Sequence, residues 1–210
     1  RRHMDKNKLE ALKAKYAGGS GGDIHDPHFA AVAASVFTSP DRRSWPFAEP
    51  GTLLGAPYRP QGASLDLAGL DVALLGVPMD LGVTNRAGAR NGPRAVRAVE
   101  RIGPYEHVLR IAPKASIKAA DIGDVPMRSR FSLADCHADI EGHLTAIHRA
   151  GVIPLSVGGD HSISYPILRA LGAERPVGMI HIDAHCDTGG IFEGSKFHHG
   201  GPFRQAVLDG

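Results

Sequence analysis

The first sustained apolar run in the chain is Val72–Val77 (VALLGV), closed by Pro78. A run without polar interruption is what a strand buried on both faces requires, and such strands belong to parallel sheets covered by helices on either side. Ile117–Ile122, Val152–Val157 and Val177–Ile182 are mostly apolar and predict three more strands. Between them the period changes. Leu133, Cys136, Ile140, Leu144 and Ile147 recur at helical spacing, opened by Ser132 and Asp135 as a capping-box-like pair and stopped by Gly151. Shorter helices are predicted over about 93–102, with Pro93 at a good first position, over about 163–171, stopped by Gly172, and from Pro202 onward. Strands alternating with helices predict a doubly wound α/β fold with a mostly parallel sheet. Ligands of such sheets bind at the carboxyl ends of the strands.

Ahead of Asp71 the pattern is poorer. Arg1–Met4 reads as the remnant of a tag before a native Met4. Residues 5–16 have helical composition, Gly18–Gly22 breaks the chain, and residues 23–70 show no lasting period. The expected organisation is therefore a helix and irregular arm over 5–70, followed by one domain over 71–210.

Composition narrows the function. Net charge is +2 and acids balance bases, which excludes an electrostatic nucleic-acid binder. No apolar stretch reaches the 18 or so residues of a membrane span. Two isolated cysteines, Cys136 and Cys186, make no disulfide framework and suggest a reducing, cytoplasmic setting.

Histidine is unevenly spread. Of 12, eight (residues 137, 143, 148, 161, 181, 185, 198 and 199) fall between His137 and His199. Asp183, His185 and Asp187 follow the 177–182 strand in a D-x-H-x-D pattern. On an extended backbone all three point the same way, a donor set suited to divalent transition ions. His161 follows another predicted strand in Gly158-Gly159-Asp160-His161-Ser162, where the glycines permit a tight turn. Asp135-Cys136-His137-Ala138-Asp139 imitates the pattern, but on a helix i and i+2 point apart; Asp135, Asp139 and His143 share a face that is read as solvated, and His137 is read as structural or solvated. His181 is read as a satisfied core histidine, and Cys186 as a packing residue turned away from the ligands.

The sequence resembles the ureohydrolases, the arginase and agmatinase family, in its agmatinase-like branch. Four segments in order carry the resemblance: Gly76-Val77-Pro78-Met79-Asp80 with Asn85–Arg94, then Gly158–Ser162, then Asp183–Asp187, then His199-Gly200-Gly201-Pro202-Phe203-Arg204. It implies a three-layer α/β/α, arginase-like fold and two bridged divalent ions, manganese first and nickel as the alternative. Carried over by motif, His161 and Asp187 hold one ion, His185 the other, and Asp183 bridges them; His199 is a proton shuttle or substrate contact. The family draws two further metal-binding aspartates from a later segment, so 71–210 is read as that domain without its C-terminal part.

The implied reaction splits a guanidino group to urea and an amine. The guanidinium carbon is a poor electrophile, and a hydroxide held between two ions is the expected nucleophile. Asp187 is the candidate to protonate the leaving amine and His199 to relay protons to solvent. Phe192 and Phe197, in the loop before His199, are expected to shape the substrate pocket; Arg86 and Arg90 are read equally as partners of an anionic tail and as solvated or subunit-contact residues. The expected partners are a small guanidino compound and copies of the chain, as a trimer or hexamer; a hetero-oligomer with a non-catalytic role, and an arginase-fold deacetylase using one zinc ion, are the competing readings.

Overall fold

A computed structural model of the chain describes residues 5–17, 27, 30, 50–61, 64–99, 106 and 108–210. They fall into two units, Arg1–Arg43 and Ser44–Gly210. In the first, helix α1 (Lys6–Tyr16) matches the predicted helix; the Asp5 side chain accepts from the Asn7 N–H at 2.8 Å. Asp23, His25, Asp26, His28 and His107 lie outside the described residues.

The second unit is built on three parallel strands, β1 (Val72–Val77), β2 (Ala119–Asp124) and β3 (Ile153–Gly158), in the order β2-β1-β3. β1 and β3 pair without a break from Val72–Ile153 to Val77–Gly158, so their carboxyl ends finish level. The helices are α2 (Gly92–Arg97), α3 (Pro113–Ser116), α4 (Leu133–Arg149), α5 (Ser164–Gly172) and α6 (Pro202–Leu208). α2 ends at Arg97, with Ala98 and Val99 already outside the helix, short of the predicted end at about 102; residues 100–105 lie outside the described set.

β1 lies in the middle, and its alternation divides the core. Ala73, Leu75 and Val77 join Cys136, Ile140, Leu144 and Ile147 of α4 in one cluster. Leu74 points the other way, onto Leu53 and Ala56, with Val96 of α2 against them. Helices on one face and α2 with the Leu53 turn on the other make the three layers that the pattern predicts. Each fully buried aliphatic side chain in these clusters contributes about 1.5–3 kcal/mol. Ser132 caps α4, accepting from the Asp135 N–H at 3.2 Å. The described residues of 53–70 form no helix or strand beyond a single turn at Leu53–Gly55. They nevertheless supply Leu53, Ala56 and Leu67 to the core.

On the α2 face β2 carries a fully buried carboxylate. Asp121 accepts from the backbone N–H groups of Leu53 (2.8 Å) and Gly123 (3.0 Å), and from Arg97 Nε (2.8 Å) and Nη2 (2.9 Å). Arg97 Nη1 also donates to Asp124 at 2.6 Å.

The fourth predicted strand does not form. Residues 177–182 join no ladder among the described residues, and Ile180 and Ile182 are 93% and 94% exposed. A strand is stabilised by a neighbour that satisfies its N–H and C=O groups; the apolar run has the composition of a strand but no strand partner among the described residues. Among the described residues no helix is long and apolar enough to cross a membrane.

Candidate metal centre

The level carboxyl ends of β1 and β3 place two loops side by side. After β3 the chain turns through Gly158-Gly159-Asp160, and Gly159 has φ +80°, a conformation that favours glycine. Asp160 then caps the turn at His161–Ile163: Oδ1 accepts from the Ser162 N–H and Oδ2 from the Gly82 N–H, each at 2.8 Å. The loop after β1 is fixed at its other end by the buried Asp80, which accepts from Gly88 N–H (2.7 Å) and from Arg90 Nε (2.6 Å). The Arg90 hydrogen bond, followed by opposing burial and the backbone donors, holds the Asp80 carboxyl below its ordinary range. Arg90 is thereby committed to the scaffold. Between the loops the backbones touch: a Cβ on Gly92 would lie 2.2 Å from the Gly158 carbonyl oxygen.

His161, His181, Asp183 and Asp187 converge beside this turn, with one ligand-type atom of each inside a 4.8 Å group. His161 Nδ1 stands 2.6 Å from Asp187 Oδ2 and 3.7 Å from Asp183 Oδ2. His181 Nε2 lies 3.4 Å from Asp183 Oδ2 and 3.9 Å from Asp187 Oδ2. The His161 and His181 rings stack at 5.4 Å, and Phe203 of α6 presents its edge to both. Two imidazoles and two carboxylates at this spacing are a donor set that fits a divalent ion. The buried His181 Nε2 also has no hydrogen-bond partner.

The sequence expectations fare unequally here. His161, Asp183 and Asp187 come together. His185 does not join them: its side chain is 81% exposed, with Nδ1 3.6 Å from Asp183 Oδ1 at the rim. The extended alternation fails because the chain bends at 183–185, where the His185 N–H donates to Asp183 Oδ1, and Asp187 has φ +49°. That backbone hydrogen bond is the first reason the Asp183 carboxyl titrates below its ordinary range. His181, read as a satisfied core residue, is instead in the cluster with Nε2 unsatisfied. Cys186, read as packed, is exposed, and its hydrogen bond with Thr188 pulls the thiol down.

His199 lines a cavity of about 290 Å³ together with Val83–Arg86, Ala89, Asp160 and His161. Its N–H donates to the Gly82 carbonyl (2.9 Å) and its Nε2 meets Thr84 Oγ1 (2.8 Å). His198 is a loop fastener, with Nε2 on the Gly190 carbonyl at 2.7 Å. Phe192 and Phe197 are not on the cavity wall. Phe192 is half exposed beside His198, and Phe197 packs on the rings of His137 and Tyr165. His137, read as structural or solvated, is buried, with Nε2 3.2 Å from Ser162 Oγ. Burial pushes its pKa down to about 4.

Comparison with known proteins shows four similarities. The Arginase family model matches residues 70–210. A guanidinopropionase of Pseudomonas aeruginosa is 49% identical over 150 residues, which is 70% of this chain and 47% of that protein. The solved structure of proclavaminate amidinohydrolase from Streptomyces clavuligerus superposes with a TM-score of 0.71 at 32% identity, over 79% of this chain and 55% of that one. A formiminoglutamase of Trypanosoma cruzi, solved with manganese, superposes at 0.58 and 25% identity, over 77% and 54%. The chain spans about half the length of the curated relatives it matches.

Proposed function

The chain belongs to the arginase family, and on that footing we propose that its protein hydrolyses the guanidino group of a small molecule to urea and an amine, using two divalent ions. The observation that carries the reading is the convergence of His161, Asp183 and Asp187 at the edge of the cavity that His199 lines. Manganese is the first candidate, supported by its presence in the Trypanosoma cruzi relative; nickel is the alternative. In the proposed arrangement His161 and Asp187 serve one ion, Asp183 is shared, and His185 at the rim serves the second. Ions bound there would acidify a water from a pKa of about 15.7 toward about 7 and so supply a hydroxide at neutral pH.

The chain's own groups do the rest. The tetrahedral carbon cannot expel an amide-like anion, so the departing nitrogen must receive a proton. Asp187, 2.6 Å from His161, is the candidate to carry it. His199, oriented by Thr84, is placed to exchange that proton with solvent. Arg86 is a cavity-lining cation with no ion pair among the described residues, whereas Arg90 is bound to Asp80. Substrates named for the relatives support guanidino acids and agmatine as the compounds to try first.

The test is urea release from guanidinopropionate, guanidinobutyrate, agmatine and guanidine, with manganese and nickel compared. His161→Ala and Asp183→Asn should each abolish turnover of whichever compound is used. Undiminished turnover in either variant, or no urea from any compound with either metal, overturns the reading.

A further inference from the structure

We propose that His181 is a positioning residue of the ion site, holding the Asp183 carboxylate through a proton on Nε2. The inference rests on the metal reading above but concerns a residue that reading does not use. Three observations carry it. His181 Nε2 is buried, lacks a hydrogen-bond partner, and faces two carboxylate oxygens at 3.4 and 3.9 Å. The ring is clamped between His161 and the edge of Phe203, at centroid distances of 5.4 and 4.6 Å, so it has little freedom to turn elsewhere. Asp183 has its other oxygen occupied, since Oδ1 accepts the His185 N–H at 2.9 Å. A carboxylate held at Oδ1 by the His185 N–H and at Oδ2 by His181 presents its remaining lone pairs in one fixed direction, on the side of His161.

An imidazole can act here either as donor to a carboxylate or as ligand through a bare nitrogen, and the surroundings favour the first. A bare Nε2 would set a lone pair against two carboxylate oxygens, whereas an N–H answers them. Outer partners that orient metal ligands typically govern affinity by about 10- to 100-fold.

The experiment measures manganese affinity of the protein by competition with a chelating dye, for the parent, His181→Phe and His181→Gln. Phe keeps the ring packing and loses the donor; the Gln side-chain N–H₂ reaches nearly where Nε2 stood. The expected result is a loss of about 10- to 100-fold for Phe, with Gln recovering most of it, and cobalt absorption bands of the Gln variant matching the parent. Parent-like affinity in His181→Phe overturns the inference, as do altered cobalt bands in Gln, which would make His181 a ligand. Nitrogen-15 shifts of the His181 ring in the metal-free parent give a reading independent of any variant's folding: a proton on Nδ1 instead of Nε2 also overturns it. His161→Ala separates the two levels. If that variant keeps its manganese, the metal centre itself is wrong; if it loses manganese while His181→Phe does not, only the role of His181 falls.

Discussion

Replacing Arg97 by Met would leave Asp121 buried beneath α2 with two backbone donors and no cation. Burial is the largest influence on that carboxyl and raises its pKa; the Arg97 hydrogen bond and the N–H groups of Leu53 and Gly123 together outweigh it, so it titrates below its ordinary 3.8. With Arg97 gone only the two N–H groups oppose burial, and the expected outcome is that burial prevails and the value moves above 3.8. Removing one partner of a buried pair typically costs about 3–5 kcal/mol. A ceiling applies, because the folded variant can instead protonate Asp121, at about 1.4 kcal/mol for each pH unit above 3.8, or about 4 kcal/mol at pH 7. The contact of Arg97 with the half-exposed Asp124 adds at most about 1 kcal/mol. The expected loss is therefore about 3–4 kcal/mol at pH 7, shrinking below about 2 kcal/mol at pH 5 as the ceiling falls. The sign follows from the two shifts. In the parent the depressed carboxyl stabilises fully above pH 3.8 and loses that contribution only as pH falls through its lower folded value. In the variant the raised carboxyl takes up its proton first in the folded state, so acid relieves the defect. Urea unfolding followed by circular dichroism at pH 7, 6 and 5 measures both. A loss under about 1 kcal/mol at pH 7, or one that does not change with pH, would refute the reasoning. Replacing both residues, Arg97→Met with Asp121→Leu, should recover most of the stability, since it removes the stranded charge rather than its partner.

Two other stability predictions follow from the core. Ile140→Ala, at a fully buried position of α4, should cost about 2–5 kcal/mol by urea unfolding, with a loss below about 1 kcal/mol contradicting the packing described. His137 resists protonation until about pH 4, whereas its unfolded form takes a proton near 6.5, so stability should fall by up to about 3 kcal/mol as pH drops across that window. His137→Phe should flatten this acid slope by about one proton; an unchanged slope would place the titration elsewhere.

Much of the fold was legible because continuous apolar runs have few other uses. β1, β2, β3 and α4 lie within two residues of their predicted bounds. The 177–182 run shows the limit of that inference: composition states that a segment suits a strand, but the ladder depends on what lies beside it. The site was legible where local backbone chemistry decides, as at Gly159 and Asp160, and less so where parity was trusted too far or too little. Counting by twos placed His185 with Asp183, yet the Asp183 side chain captured the His185 N–H and bent the chain. The same count, carried back two residues from Asp183, would have put His181 on the ligand side. His137 shares a helix with a solvated-looking acidic pair, and its burial follows from Ser162 and Phe197 arriving from distant segments, which no local pattern records.

The meeting of Gly92 with Gly158 bears on how such a site can be altered. Backbone meets backbone there with no room for a single methyl group. The spacing between the ligand-bearing turn and the loop that lines the cavity is thus set by missing atoms, and no substitution can widen it gradually. Variation that retunes the pocket is channelled into the side chains of Val83–Arg86, which reach the cavity from a loop whose ends are fixed. A library that randomises those four positions and spares the glycines should yield folded proteins of altered selectivity far more often than one that changes loop length.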